Sequence, residues 1–299
     1  MTALNHGLVL LNKKSGFTSY DSLEGVKKVF ATKKAGHTGT LDKFASGLLL
    51  VLVGRGVKLA PLFSDFAKEY TGTINFGTET DTLDPEGKVI ADGPIPSLQD
   101  IEAVLPGFRG NILQVPPAYS ALHVNGRRAH ELVREGKEPE MKKRPVTVHD
   151  LEIISWEPPE LIIHVRVSAG TYIRSLARDI ALAAGSRAYL SALTRSAIGA
   201  FRIEDSVKDN GDRESLIKAL RPLDRKLFET LSIPYFFLDE KAAEGFVNGK
   251  PLRELLSIEE TIPAAAAAGV FKKNAQDELL GVLERRNNEW GYAHVFRDS

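Results

Sequence analysis

The chain has 299 residues, 43% of them apolar and 26% charged, with no net charge and no cysteine. That length allows one large domain or two, and the lack of cysteine excludes disulfides, thiolate nucleophiles, iron–sulfur clusters and cysteine-held zinc. The strongest apolar run, Leu48–Val53, is far below the roughly 20 residues that cross a bilayer. The opening segment carries its basic pair after its apolar run, the reverse of a secretory signal. A soluble cytoplasmic protein without a membrane partner is therefore expected.

The predicted elements begin with a strand at Gly7–Leu11. A helix follows to about Phe30, capped by Ser19 or Asp21, with Leu23, Val26 and Phe30 on one face. Lys33 to Gly36 leads into a loop rich in glycine and threonine around Asp42, and then into a strand at Leu48–Val53. A short helix is expected over Val57–Phe63 and an alternating strand over Tyr70–Phe76. Asp81–Gly93, rich in Asp, Pro and Gly, reads as a loop or hairpin. Ser97 caps a helix carrying Ile101, Val104 and Leu105. Residues 117–145 hold seven Lys/Arg and few large apolar residues, which predicts a protruding insertion around one short helix. Paired strands are predicted at Val146–Trp156 and Leu161–Val167, and the clearest helix at Gly170–Ala184. A boundary is expected near Ser232-Ile233-Pro234. Beyond it lies a small second unit with a helix at Asp239–Val247 and strands at Leu279–Leu283 and Tyr292–Phe296. The Ala264–Ala268 run is of low complexity.

Charge is unevenly spread. Residues 1–60 carry nine Lys/Arg against three acids, so a basic N-terminal region faces an acidic remainder. Such a region can track phosphate; lysines on solvated helix faces give the same pattern. Asp42 is the leading chemical candidate. A lone carboxylate in a loop before a rigid apolar strand can act as nucleophile or general base, although an Asp beside Gly and Thr also suits a turn. The seven histidines show no close ligand pair, so no metal site is expected.

Four motifs in order, GHTGTLDKFASGLL, KEYTGTINFGTETDTLDPEG, PPAYSALHVNG and GTYIRSLARDI, closely resemble those of the TruB family of tRNA pseudouridine synthases. The resemblance covers most of residues 7–230. It implies an α+β pseudouridine synthase fold, a mixed, largely antiparallel sheet flanked by helices, in residues 1–232, with an RNA-clasping insertion at about 117–145. Residues 233–299 are similar, more loosely, to a small PUA-like RNA-binding domain. The implied reaction converts the T-loop uridine of tRNA (position 55) to pseudouridine after base flipping, without a cofactor.

By the same resemblance Asp42 is the catalytic acid. Tyr70 stacks on the target base, Tyr172 walls the pocket, Arg174 orients Asp42, and Leu193 packs near the base. Read from pattern alone, Tyr70 and Leu193 suit the core equally well, and Arg174 suits a helix surface. His37 is expected to organise or replace flipped bases. Arg127, Arg128, Lys142 and Lys143 are expected to touch phosphates, which positions RNA without reading its sequence. Lys43 stands where the family usually has proline. The T-stem and T-loop are the expected partner, and a monomer the expected state. A second reading, from another class, is a tRNA-binding folding chaperone. A nucleotide-phosphate loop at Gly36–Gly39 lacks the lysine and glycine pattern that it needs.

Overall fold

The computed structural model describes residues 6–120, 122–124, 126–137, 139–209, 212–255, 265–273, 277–287 and 289–296. Strand β1 (Gly7–Lys13) leads through helix α1 (Asp21–Val29) and the short β2 (Ala35–His37) into β3 (Ser46–Val53). The runs in β1 and β3 are apolar without alternation because both faces are covered. Leu8, Leu10, Leu48, Leu50 and Leu52 join one core cluster. Val9, Leu11, Leu49, Val51 and Val53 join another with Leu23, Val26 and Phe30. At the start of α1, Asp21 Oδ2 accepts hydrogen bonds from the Thr18 backbone N–H (2.8 Å) and hydroxyl (2.7 Å). Neither Ser19 nor Asp21 caps the helix: its N-cap position is Tyr20, without a side-chain cap bond, and the Ser19 hydroxyl instead bonds both the N–H and the C=O of Leu41. The helix expected over Val57–Phe63 is a 3₁₀ helix spanning Gly54–Phe63, with Pro61 inside it.

Strand β4 (Lys68–Phe76) is followed by a hairpin of β5 (Thr78–Thr80) and β6 (Val89–Asp92). Helix α2 (Leu98–Val104) starts at a capping box between Ser97 and Asp100, and β7 (Gly110–Gln114) follows. The basic insertion holds a hairpin of β8 (His123–Val124) and β9 (Arg127–Arg128) and then α3 (Ala129–Arg134). Gly126, with φ of 81°, turns the hairpin. Strands β10 (Arg144–Glu157) and β11 (Glu160–Val167) precede α4 (Ile173–Ala183), β12 (Ala188–Ile198), β13 (Phe201–Arg202) and β14 (Val207–Lys208).

The main sheet has ten strands, ordered β14-β1-β3-β12-β4-β11-β10-β7, with β13 beside β12 and β2 beside β3. Within this sheet only β1–β14 and β12–β3 pair in parallel among the described strands, so it is mixed and largely antiparallel, flanked by helices, as expected. β12 lies at its centre and was absent from the predicted elements. Its sequence, AYLSALTRSAI, is half polar and carries two bulges, at Ser191 and Ser196. One extra residue inverts which face a side chain occupies. The buried positions pass from Ala188 and Leu190 to Leu193 and Arg195, and simple alternation fails.

Short helices α5 (Arg213–Lys218) and α6 (Arg225–Thr230) lead into a second sheet. It comprises β15 (Tyr235–Leu238), β16 (Ala267–Lys272), β17 (Glu278–Arg286) and β18 (Glu289–Val295) in that order, with α7 (Glu240–Val247) inserted after β15. Part of the alanine-rich run lies outside the described residues, and Ala267 and Ala268 open β16. The second sheet has its own core around Phe246, Val270 and Leu283. Phe271, Leu279, Val282 and Phe296 also pack with Leu8, Leu50 and Phe228 in one cluster.

Candidate active site

The loop between β2 and β3 presents Asp42 at the edge of the central strands. Its carboxylate is 36% exposed, whereas the Arg174 side chain beside it is only 5% exposed. The acid is thus open to a substrate, and its partner is not. Arg174 occupies the second position of α4, where the first helical turn points it back toward the loop. Its Nη2 donates to Asp42 Oδ1 at 3.2 Å, and its Nε lies 2.9 Å from Oδ2 in an ion contact whose N–H misses the line to the oxygen. Nη2 also donates to the Tyr119 carbonyl (3.1 Å), and Nη1 to the Thr82 carbonyl (2.7 Å) and to Asp84 Oδ2 (3.2 Å). A planar, permanently charged fork held at this many points leaves Asp42 little freedom to turn.

Asp84 is the site's hidden member. It lies in the TDTLDPEG motif but drew no notice in the sequence, where it resembles any turn aspartate. It is 6% exposed, accepts from the Thr82 hydroxyl (2.6 Å) and the Glu86 N–H (3.1 Å), and completes a carboxylate–guanidinium–carboxylate chain. Burial pushes its carboxyl above the usual range, and the Thr82 hydrogen bond and the Arg174 charge oppose that.

Two buried cations grip the Asp42 loop through its backbone. Lys13 Nζ donates to the carbonyls of Ala45 (2.6 Å), Phe17 (2.7 Å) and Lys14 (3.0 Å). Burial lowers its pKa to about 8. Arg195, 1% exposed, donates to the carbonyls of Leu48 (2.8 Å), Gly39 (3.1 Å) and Thr40 (3.4 Å). Lys68, also lowered to about 8 by burial and then by Arg195, lies under the same turn, since a Cβ on Gly39 would meet Lys68 Cε at 3.9 Å and Arg195 Nη1 at 3.8 Å. Sequence reasoning missed Lys68 and Arg195 as parts of the site and counted Lys13 only as a charge. A buried cation bound to carbonyls leaves no partner carboxylate in the sequence to betray it.

Tyr70 and Leu193 are each 7% exposed and share a core cluster with Leu41, Phe44 and Ala45 from the Asp42 loop. Tyr172 precedes α4. Gln114 holds it by a two-point clasp, accepting from its N–H (2.8 Å) and donating to its C=O (3.1 Å). Its ring carries the Arg144 guanidinium 4.9 Å from the centroid. His37, on β2, is half-buried with Nδ1 shielded, and burial followed by Arg195 holds its pKa below the ordinary value. Arg127, Arg128, Lys142 and Lys143 are exposed on the insertion; Arg127 pairs there with Glu135. The insertion's root touches the site at Tyr119.

On the opposite, solvent face of the sheet, Asp150, Glu152 and His164 bring one potential ligand atom each within 4.8 Å of one another, a grouping with no link to Asp42. Among the described residues, no helix is long and apolar enough to cross a membrane.

The mixed sheet thus presents one solvent-accessible aspartate, clamped by an arginine beside a buried tyrosine and leucine. The solved structure of a Cbf5-Nop10-Gar1 complex shares the fold, with a TM-score of 0.67 at 24% identity over 99% of this chain and 85% of that one. The family model described as TruB family pseudouridylate synthase (N terminal domain) matches residues 27–173. The tRNA pseudouridine synthase B of Borreliella burgdorferi (strain ZS7) is 44% identical, over 98% of this chain and all of that protein. That of Treponema denticola is 36% identical over 84% and 85% of the two chains. The chain belongs to the TruB family of pseudouridine synthases, and it is an isomerase.

Proposed function

We propose that this enzyme isomerises the uridine at position 55 in the T-loop of tRNA, with Asp42 as the reacting group. The reading is carried by the pairing of an accessible Asp42 carboxylate with a buried Arg174 held at several points. The reaction breaks the N1–C1′ glycosidic bond and forms a C5–C1′ bond to the same base; N1 gains a proton and C5 loses one. No electrons are exchanged, so no redox cofactor is called for. Asp42 starts the reaction either by attack on the sugar or by removing a sugar proton, and both routes need an ionised, oriented carboxylate.

A uridine inside a folded loop cannot reach Asp42, so it must be extruded into the pocket. Tyr70 then stacks on the extruded base and Leu193 packs beside it, with Tyr172 as a further wall. His37 organises the bases left behind. Arg127, Arg128, Lys142 and Lys143 hold phosphates of the T-stem from the insertion. Residues 1–232 form the catalytic unit and residues 233–299 an RNA-binding domain, and the enzyme works as a cytoplasmic monomer.

The test is tritium release from an unmodified tRNA transcript labelled at C5 of uridine, comparing wild type with Asp42→Asn. Release from one T-loop uridine is expected for the wild type and none above background for the variant, with tRNA binding retained. A folded wild type that binds tRNA without release would instead point to a folding chaperone.

A further inference from the structure

Segment Gly16–Tyr20, which joins β1 to α1, takes no part in the chemistry above, yet it is bound tightly to the loop that carries Asp42. The Gly16 N–H donates to the Lys43 carbonyl (2.8 Å), the Ser15 hydroxyl to the Phe44 carbonyl (2.6 Å), and Ser19 holds both polar groups of the Leu41 backbone. Lys13 Nζ holds the Phe17 carbonyl from beneath. A segment fastened on both sides of Asp42 nevertheless turns two aromatic rings into solvent: Phe17 is 51% exposed and Tyr20 64%. Large exposed rings on rigid backbone are a costly arrangement for an isolated surface and suit a flat partner.

The surrounding charge narrows the partner. Lys27 Nζ lies 4.5 Å from the Tyr20 ring centroid, and Lys27, Lys28 and Lys33 line an open groove of about 930 Å³ along the C-terminal end of α1. Lys14 and Lys43 are also exposed, and the Lys43 carbonyl is bound by the Gly16 N–H of this segment. Glu24, which also lines the groove, pairs with Lys27, Glu86 pairs with Lys43, and Asp21 accepts from Thr18, so Lys14, Lys28 and Lys33 supply the net positive charge. Flat apolar rings flanked by cations match single-stranded nucleic acid, whose bases stack and whose phosphates need countercharge. An apolar protein or lipid surface would not need the lysines.

We propose that Phe17 and Tyr20 form a stacking shelf for unpaired bases of the RNA strand next to the uridine in the Asp42 pocket. The strand's phosphates continue past Lys27 along the α1 groove. The proposal rests on the RNA-modifying reading above and adds specificity residues to it. Lys43 then has a role at this lip that proline could not fill.

The experiment uses the full chain and an unmodified T-arm hairpin RNA. KM, kcat and equilibrium affinity across a salt series are measured for wild type, Phe17→Ala, Tyr20→Ala, the double variant, Tyr20→Phe and Lys27→Gln, with urea midpoints to confirm folding. Each lost ring is expected to raise KM and weaken binding by about tenfold, the loss typical of one base–aromatic stack, with kcat falling far less. Tyr20→Phe should bind like the wild type. The salt slope should stay unchanged for the ring variants and decrease by about one for Lys27→Gln. A folded double variant with wild-type KM and affinity overturns the shelf while leaving the function intact. A wild type inert toward both the hairpin and tRNA overturns the function and the shelf together.

Discussion

Arg174 holds two carboxylates at once, and they are not equivalent. Asp42 faces solvent; Asp84 lies behind the guanidinium, where it opposes any drift of the fork toward the substrate side. Asp84→Asn keeps the shape and removes the charge, so Asp42 loses its fixed geometry but not its partner. A fall of about tenfold to a hundredfold in kcat is expected, the scale of a small misplacement of a reacting group, with tRNA affinity nearly unchanged. Equal losses in kcat and affinity would show that Asp84 supports the fold and not the site. Lys13 allows a test by pH. Its folded pKa of about 8 lies below the ordinary 10.5, so between these values the unfolded chain binds more protons. Its cost to stability is full below pH 8 and is relieved as pH rises through that window. In urea titrations the wild type should gain stability relative to Lys13→Met from pH 8 to 10.5; a flat difference would show the ammonium is not depressed.

At the scale of elements, β12 does the most. It joins the β1–β3 half of the sheet to the β4–β11–β10 half and carries Leu193 and Arg195 to the same site. Its parallel pairing with β3 is close: a Cβ on Gly47, which has φ of 108°, would meet the Arg195 backbone nitrogen at 2.6 Å. Gly47→Ala should therefore destabilise by about 2 kcal/mol or more, through strain at positive φ together with the clash. It should also reduce activity, because the shift displaces Arg195 and the Asp42 loop. A urea midpoint equal to the wild type's would refute the close approach. By contrast Gly39→Ala meets only ordinary contacts of 3.8–3.9 Å and should be mild. α4 contributes in another way: its first turn carries Arg174, and Val115, just before the insertion, accepts hydrogen bonds from Ser175 and Arg178 on the same helix. The insertion and the Asp42 carboxylate are thus referred to one rigid element.

For the whole molecule, the consequential feature is the cluster shared by the two sheets. Phe271, Val282 and Phe296 share a core with Leu8, Leu50 and Phe228, so the second sheet, in the part proposed as an RNA-binding domain, also completes a core of the main sheet. Chains ending at residue 232 are expected to unfold at lower urea concentration than the full protein and to bind a hydrophobic dye strongly, because large apolar side chains lose their cover. A truncated chain with the full-length midpoint and no dye binding would show that the two cores are independent.

The sequence by itself determined a good part of this protein. The runs of β1 and β3, the helix carrying Arg174 and the Asp42 loop were legible because local periodicity, glycine placement and contiguous motifs encode them. Family membership was legible for the same reason, since its motifs are contiguous strings in a set order. The structure alone decided the rest. β12 was hidden by two bulges that break the period of two, and by a buried arginine that satisfies itself on carbonyls. Asp84, Lys13, Lys68 and Arg195 became site residues only when strands distant in sequence came together. Partnership between a side chain and a remote backbone leaves no local pattern, and only the folded chain can show it.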